Sequence, residues 1–260
     1  MHLIVGGDSV IGKALGNYWE KNNIDFHSST RNLGLSSKTK PYIDLENLDL
    51  TNLDYPYDSV ILCAATSKQD ECERHPNRTR NINVVNTFKL AKQLSKSGAF
   101  ILFLSTNQVF DGNTPFRKIN DKKNPVNVYG KQKSETEDLI SGLEKYGILR
   151  LTKVIHANLP LLSEWRKNFS KGLKVKAFED MTLSPIKIDD VVHRIDSLIR
   201  GQKNGLYHYS GNDDISYYDF AKQYAKQLKF SEDLVQKSSY RKSNISYHIP
   251  NYSSLHSFHL

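Results

Sequence analysis

The chain has 260 residues, 38% hydrophobic and 25% charged, with 36 Lys and Arg against 28 Asp and Glu for a formal net charge of +8. That is ordinary globular composition, enough for one domain or one domain with a smaller lobe, and its lysines are scattered rather than packed with aromatics, which argues against nucleic acid; an anionic small ligand is an equally good reason for the charge. No apolar stretch reaches the roughly 18 residues of a membrane span, and Met1 runs almost directly into "HLIVGG", which reads as a soluble, cytoplasmic protein without a leader.

"HLIVGG" reads as a first strand, followed by Gly6-Gly7-Asp8-Ser9-Val10-Ile11-Gly12 and a helix from about Val10 to Lys21. A glycine-bounded strand-to-helix turn lets a dinucleotide pyrophosphate approach backbone N–H groups at a helix N-terminus. Ser9 replaces the usual middle glycine and fits there if its backbone angles are ordinary. The second strand, "IDFHSS", ends in Ser28-Ser29-Thr30-Arg31, with no carboxylate at its tip to grip a ribose 2′-hydroxyl. Hydroxyls and a guanidinium there suit a 2′-phosphate, so NADP(H) is favoured over NAD(H).

"PYIDL" and "SVILCA" read as further strands, the second containing Cys63. Cys63 and Cys72 lack the paired Cys or His spacing of a zinc site, so no metal is expected and both read as free thiols. "NVVNTFKLAKQLSK" reads as one long helix whose apolar face is core or subunit contact, the latter consistent with a homodimer. "FILFLS", from Phe100, reads as a buried strand that ends in the polar run Thr106-Asn107-Gln108. A helix through "ETEDLISGLEKY" and a strand at "GILRL" follow. Beyond Leu151 the pattern is loop-rich, returning to a helix at "IDDVVHRIDSLIR", a strand at "GLYHYSG" and a helix at "YYDFAKQYAKQL". Strands alternating with helices imply right-handed crossovers and a doubly wound parallel sheet, an α/β Rossmann-type fold with ligands at the strands' carboxyl ends.

Tyr129 and Lys133 lie one helical turn apart, where an ammonium would favour the ionised phenol and lower its pKa. The pair makes a proton donor for a carbonyl. His256 and His259, near the chain end, have no carboxylate company, and there is no Gly-x-Ser-x-Gly elbow.

"STNQVFDG" at 105–112 and "NVYGKQK" at 127–133, with "CAATSKQDECERHP", "NINVVNT", "ILRLTKV", "LSPI", "GLYHYSG" and "PNYSSL", make the chain resemble the dTDP-4-dehydrorhamnose reductase family of extended short-chain dehydrogenase/reductases over almost its full length. The resemblance implies NADPH-dependent reduction of a 4-keto sugar nucleotide. Thr106 would hydrogen-bond the carbonyl, Tyr129 would protonate it, and Lys133 would hold the nicotinamide ribose and tune Tyr129. It further implies cofactor contacts at Gly6, Ser9, Val10, Ile11, Gly12, Thr30, Arg31, Asp44, Leu45, Cys63, Ala64, Ala65, Thr66 and Asn83. Substrate contacts are implied at Thr106, Asn107, Gln108, Lys153 and Asn158. Residues 1–150 would form the cofactor-binding core, with a return segment near 186–210, and 151–260 a smaller substrate-binding portion. The partner is then a nucleotide sugar, with neither nucleic acid nor membrane.

Departures bear on substrate. Asn107-Gln108 stands where the family has Asp-Tyr, Lys153 where it often has Trp, and Ile249 where it has Arg before the late proline. Two amides cannot exchange protons at neutral pH, which disfavours dehydratase chemistry. Gln108 can donate and accept to sugar hydroxyls, and Lys153 attracts an anionic group. A non-catalytic cofactor-binding regulatory subunit and a sugar-nucleotide epimerase are the alternatives.

Overall fold

The computed structural model describes residues 1–51, 53, 56–243 and 248–257; His259 lies outside them. The chain opens with β1 (His2–Val5), turns into α1 (Val10–Lys21) and returns through β2 (Phe26–Ser28). After β3 (Ser59–Leu62) come the short helices α2 (Gln69–Arg74) and α3 (Pro76–Arg80), then a π-helical stretch, Asn81–Asn86, that runs into α4 (Thr87–Ser95). Next are β4 (Phe100–Thr106), α5 (Val128–Ile140), β5 (Tyr146–Leu151), β6 (Lys153–Ile155), α6 (Pro160–Phe169) and β7 (Val175–Phe178). The chain continues through β8 (Thr182–Leu183), β9 (Pro185–Lys187), α7 (Ile188–Gly201), β10 (Gly205–Tyr209), β11 (Ile215–Ser216), α8 (Tyr217–Gln227) and β12 (Val235–Ser238).

Six strands pair in one parallel sheet in the order β10-β5-β4-β3-β1-β2. All seven residues of β4 are buried, which is why this strand reads as an unbroken apolar run: helices cover both sheet faces. On one face Leu15 and Trp19 of α1 pack with Val191, Ile195 and Ile199 of α7 against Ile4, Ile61 and Leu102. On the other, Leu90, Ala91 and Leu94 of α4 and Ile140 of α5 pack against Leu3, Val60 and Phe103. The apolar face of α4 is therefore spent on the core. Strand order reverses between β1 and β3, so the loops leaving them part and open a crevice at their carboxyl ends. A separate cluster joins Trp165 and Phe169 of α6, Ala177 of β7, Ala221 and Ala225 of α8 and Val235 of β12.

Four expectations need correction. "PYIDL" is not a strand: it makes a single parallel bridge, Thr30 to Tyr42, beside β2. The long helix at 83–96 is π-helical up to Asn86, and Thr87 Oγ1 donates to Ile82 O, five residues back, at 2.8 Å. The helix read through "ETEDLISGLEKY" starts at Val128, because the Asn127 side chain accepts from Gly130 N and caps it, and it stops at Ile140 ahead of Gly142, short of the expected end. Cys63 lies one residue beyond β3.

Candidate active site

The turn after β1 places Ser9 as the N-cap of α1, at φ −72° and ψ 164°, with its Oγ accepting from Gly12 N. These are ordinary angles for serine, and a hydroxyl that accepts one N–H keeps its own proton for a ligand. Beside the turn lies a cavity of about 150 Å³ lined by Gly6, Ser9, Thr30, Arg31, Asp44 and Leu45, with Ala64, Ala65 and Thr66 from the loop after β3. Most of the expected cofactor contacts thus share one pocket. Gly12 and Asn83 do not line it. Asn83 stands behind: its Oδ1 accepts from Thr66 N and its Nδ2 donates to Thr66 O and Gln132 Oε1, fixing the loop to α5.

The same pocket holds a residue that sequence reasoning passed over. Asp8 lines it, accepts from Thr30 Oγ1 at 2.6 Å and stands 3.7 Å from Lys40 Nζ. The Thr30 hydroxyl holds the Asp8 carboxyl below its ordinary value. The tip of β2 carries no carboxylate of its own, but the glycine turn brings one to it. An acidic residue within the glycine turn was the available signal.

A second cavity, of about 610 Å³, adjoins the first through Ser9 and Ala65. Its volume lies within the roughly 300–1,000 Å³ usual for small-molecule sites. Thr106, Tyr129 and Lys133 all line it, together with Val10, Ile11 and Cys63. Thr106 ends β4, and Tyr129 and Lys133 lie on α5, which packs tightly against the turn that follows β4. A Cβ added at Gly130 would sit 2.1 Å from Gln108 O, so glycine after Tyr129 is what permits the approach.

Lys133 is 4% exposed; its Nζ donates to Leu104 O at 2.8 Å and lies 4.3 Å from the Phe103 ring centroid and 5.9 Å from that of Tyr129. Burial pushes its pKa down to about 8, and burial raises that of Tyr129. The expectation that the ammonium lowers the phenol's pKa is therefore not met in this state. Burial desolvates the phenolate and so disfavours it, and the lysine's proton is directed at a carbonyl. Burial likewise pushes the Cys63 thiol up to about 12, leaving it protonated and unreactive. Thr106 Oγ1 accepts from Gln108 N at 3.2 Å and donates to Asn107 Oδ1 at 3.3 Å, a long bond that a ligand carbonyl could displace.

Asn107, Gln108 and Lys153 also line this cavity; Asn158 is exposed and does not. Met181, Thr182 and Tyr217, which sequence reading left without a site role, complete the wall together with Ile249, which the sequence singled out as a departure bearing on substrate, and with Pro250 and Ser253. The motif glycine Gly112, at φ +74°, explains how the last three arrive: a Cβ there would meet Pro250 Cβ at 2.1 Å. Among the described residues no group of three or more His, Cys, Asp or Glu is placed to hold a metal, and no helix is long and apolar enough to cross a membrane.

The profile of the family described as RmlD substrate binding domain matches residues 1–260. The chain is 27% identical over 246 residues to "Methionine adenosyltransferase 2 subunit beta" of Xenopus tropicalis, covering 84% of this chain and 69% of the relative. It is 29% identical over 202 residues to "dTDP-4-dehydrorhamnose reductase" of Aggregatibacter actinomycetemcomitans, covering 69% and 67%. Its fold matches the crystal structure of dTDP-4-dehydrorhamnose reductase from Bacillus anthracis in complex with NADP, with a TM-score of 0.87 at 22% identity over 98% of this chain and 89% of that one.

Proposed function

The chain belongs to the RmlD substrate binding domain family, and from that premise we propose that it reduces the keto group of a nucleotide-activated deoxy sugar with NADPH. The observation that carries the reading is the convergence of Thr106, Tyr129 and Lys133 on one cavity with Ser9, Val10 and Ile11 of the glycine turn. The residues present fit a nicotinamide dinucleotide: the turn and the start of α1 offer backbone N–H groups to its phosphates, and Arg31 lines the adjoining pocket with Lys40 close to Asp8. When bound, that group supplies the hydride.

This chain's own residues do the rest. Tyr129, kept protonated by burial, gives its phenolic proton to the carbonyl oxygen as negative charge develops there. Thr106 turns its hydroxyl from Asn107 to the same oxygen and orients it. Lys133 exchanges Leu104 O for ribose hydroxyls and brings positive charge to the phenol as it loses its proton. Residues 1–150, with the return segment near 186–210, hold the cofactor, and the remainder of 151–260 shapes the substrate side. A relative named dTDP-4-dehydrorhamnose reductase supports the reductase reading.

The test is to mix the purified chain with NADPH and a panel of 4-keto-6-deoxy sugar nucleotides while following cofactor oxidation. Turnover of at least one is expected. Tight NADPH binding without turnover of any would replace the proposal with a second reading, a non-catalytic cofactor-binding regulatory subunit. The likeness to proteins named methionine adenosyltransferase 2 subunit beta favours that reading.

A further inference from the structure

Three side-chain amides meet beside the turn that follows β4, and one backbone N–H orients them all. Asn127 Oδ1 accepts from Gly130 N at 2.7 Å as the cap of α5. An amide whose oxygen is committed to a helix N–H presents its NH2 on the other side, and Asn127 Nδ2 donates to Gln108 Oε1 at 2.9 Å. Gln69, the first residue of α2, donates through Nε2 to the same oxygen at 2.6 Å. Each amide is therefore turned by the one behind it. Asn127 is buried, whereas Gln69 and Gln108 are half-buried and line the 610 Å³ cavity. The pair offers one group of each kind: the NH2 of Gln108 donates, and the Oε1 of Gln69 accepts. Read from sequence, Gln108 alone both donates and accepts; in the fold the accepting half comes from Gln69, a residue that sequence reading did not place in the site.

The place of the pair decides what it meets. Gln108 N donates to Thr106 Oγ1 at 3.2 Å, so the amides stand against the hydroxyl that would hold the substrate carbonyl. α2 is pinned there from its other end, because Glu73 Oε1 accepts from Val128 N, one residue before Tyr129, at 2.9 Å. In a 4-keto-6-deoxy hexose, one neighbour of the carbonyl carbon bears a hydroxyl and the other bears a methyl group. A hydroxyl accepts and donates at once, so it satisfies both amides. A hydrogen in its place leaves both unpaired, an ether oxygen leaves Gln69 unpaired, and an ammonium sets a second donor against Gln108.

Resting on the ketoreductase reading of this site, we propose that Gln69 and Gln108 act together as the specificity determinant for a free hydroxyl at C3, next to the carbonyl: the hydroxyl accepts from Gln108 Nε2 and donates to Gln69 Oε1. A site built to hydrogen-bond a substrate hydroxyl rejects the analogue that lacks it, because its own polar groups then lose their partners. Half-buried amides recover part of that loss from water, which sets the discrimination at about tenfold or more.

The experiment compares kcat/KM of the full chain, with NADPH, for dTDP-4-keto-6-deoxyglucose and dTDP-4-keto-3,6-dideoxyglucose, and for the matching UDP pair. The unmodified chain is expected to favour the 3-hydroxy member of at least one pair by about tenfold or more. Gln69→Met keeps the length of the side chain and removes the acceptor, leaving Gln108 held by Asn127; Gln108→Met removes the donor. In each variant the ratio should fall to within about threefold, and the double variant should lose no more than the worse single one, since the two amides serve one hydroxyl. NADPH affinity, titrated on the same preparations, should stay within about threefold of the parent's, which reports an intact fold. Equal efficiency of the unmodified chain on the 3-hydroxy and 3-deoxy members overturns this inference and leaves the ketoreductase reading in place. A ratio kept in both single variants, with the two substrates slowed alike, shows that the amides only hold the turn and overturns their assignment. Turnover of no member of either pair overturns this inference together with the ketoreductase reading.

Discussion

A phenol in the position of Tyr129 has one use at neutral pH: burial raises its pKa, so it carries a proton that it can give. Tyr129→Phe keeps the ring and deletes the acid. The expected result is a loss of about 10²- to 10⁴-fold in kcat with NADPH affinity unchanged, measured by steady-state rates beside fluorescence titration; near-normal rates would remove Tyr129 from the mechanism. The adenosine end sets two charges against each other. Arg31 would favour a 2′-phosphate, and Asp8, which accepts from Thr30 Oγ1 and from Arg31 N at 3.4 Å, would disfavour it. Arg31→Ala should lower the ratio of NADPH to NADH affinity by about tenfold, and Asp8→Asn should raise it, the exposed setting screening both effects. Titration of both cofactors against the two variants checks this, and a ratio that moves in the same direction for both would overturn the opposition. Arg31 was legible from its place at a strand tip. Asp8 was not read as a cofactor residue because its contact with Thr30 spans two elements.

Between elements, one buried network ties the catalytic helix to the sheet. Glu137 of α5 accepts from Ser105 Oγ of β4 at 2.5 Å and from Arg150 of β5 at 2.9 and 2.7 Å, and Arg150 Nη1 lies 3.2 Å from His208 Nε2 of β10. His208 Nδ1 in turn faces His256 O at 3.2 Å. The arrangement needs a neutral ring that accepts from Arg150 and donates to His256 O. Burial, with the Arg150 guanidinium beside it, pushes the His208 pKa down from 6.5 to about 4. Between those values the unfolded chain binds a proton that the folded one refuses, so stability rises with pH through this window and is lost as pH falls from 6.5 towards 4. The loss is on the order of 3 kcal/mol. His208→Gln keeps an acceptor and a donor, and its stability by urea unfolding should fall less than the parent's between pH 7 and pH 4 by roughly that amount; parallel pH profiles would show that His208 does not titrate as described. The elements themselves were largely legible. β4 announced itself as an apolar run ending in hydroxyls, and the four-residue spacing of Tyr129 and Lys133 placed both on the helix that starts at Val128. The π-helical stretch was not legible, because it pairs with Thr87 locally and with Thr66 and Thr136 at long range through Asn83. "PYIDL" misled because strand-like alternation says nothing about whether an edge has a partner to pair with.

Across the whole molecule, the segment 248–257 is built into the wall of the larger cavity, the proposed substrate site. Asp214, just before β11, accepts at Oδ1 from Ser253 N at 2.6 Å and Ser254 N at 3.0 Å, and at Oδ2 from Ser254 Oγ at 2.5 Å. Further along, Leu255 N donates to Ser210 Oγ, and His256 N donates to Arg117 O. Ile249, Pro250 and Ser253 of this segment line the large cavity but not the smaller one, whose walls come mainly from the glycine turn, the residues just after β2, the segment 43–46 and the loop after β3. Loss of the Asp214 clasp should therefore separate the two binding events. Asp214→Ala removes hydrogen bonds to a charged acceptor, each worth about 1.5–3 kcal/mol when shielded from water and less here, where Asp214 is half-buried. The expected outcome is amide exchange at Ser253 and Ser254 faster by about tenfold or more, a KM for the sugar nucleotide raised by a similar factor, and an NADPH affinity within error of the parent's. Hydrogen-exchange mass spectrometry on the peptide 248–257, beside steady-state kinetics, reads both. Unchanged exchange would show that Ser210 and Arg117 hold the segment without Asp214. Weakened NADPH binding would show that the clasp supports the sheet as a whole and not the substrate wall.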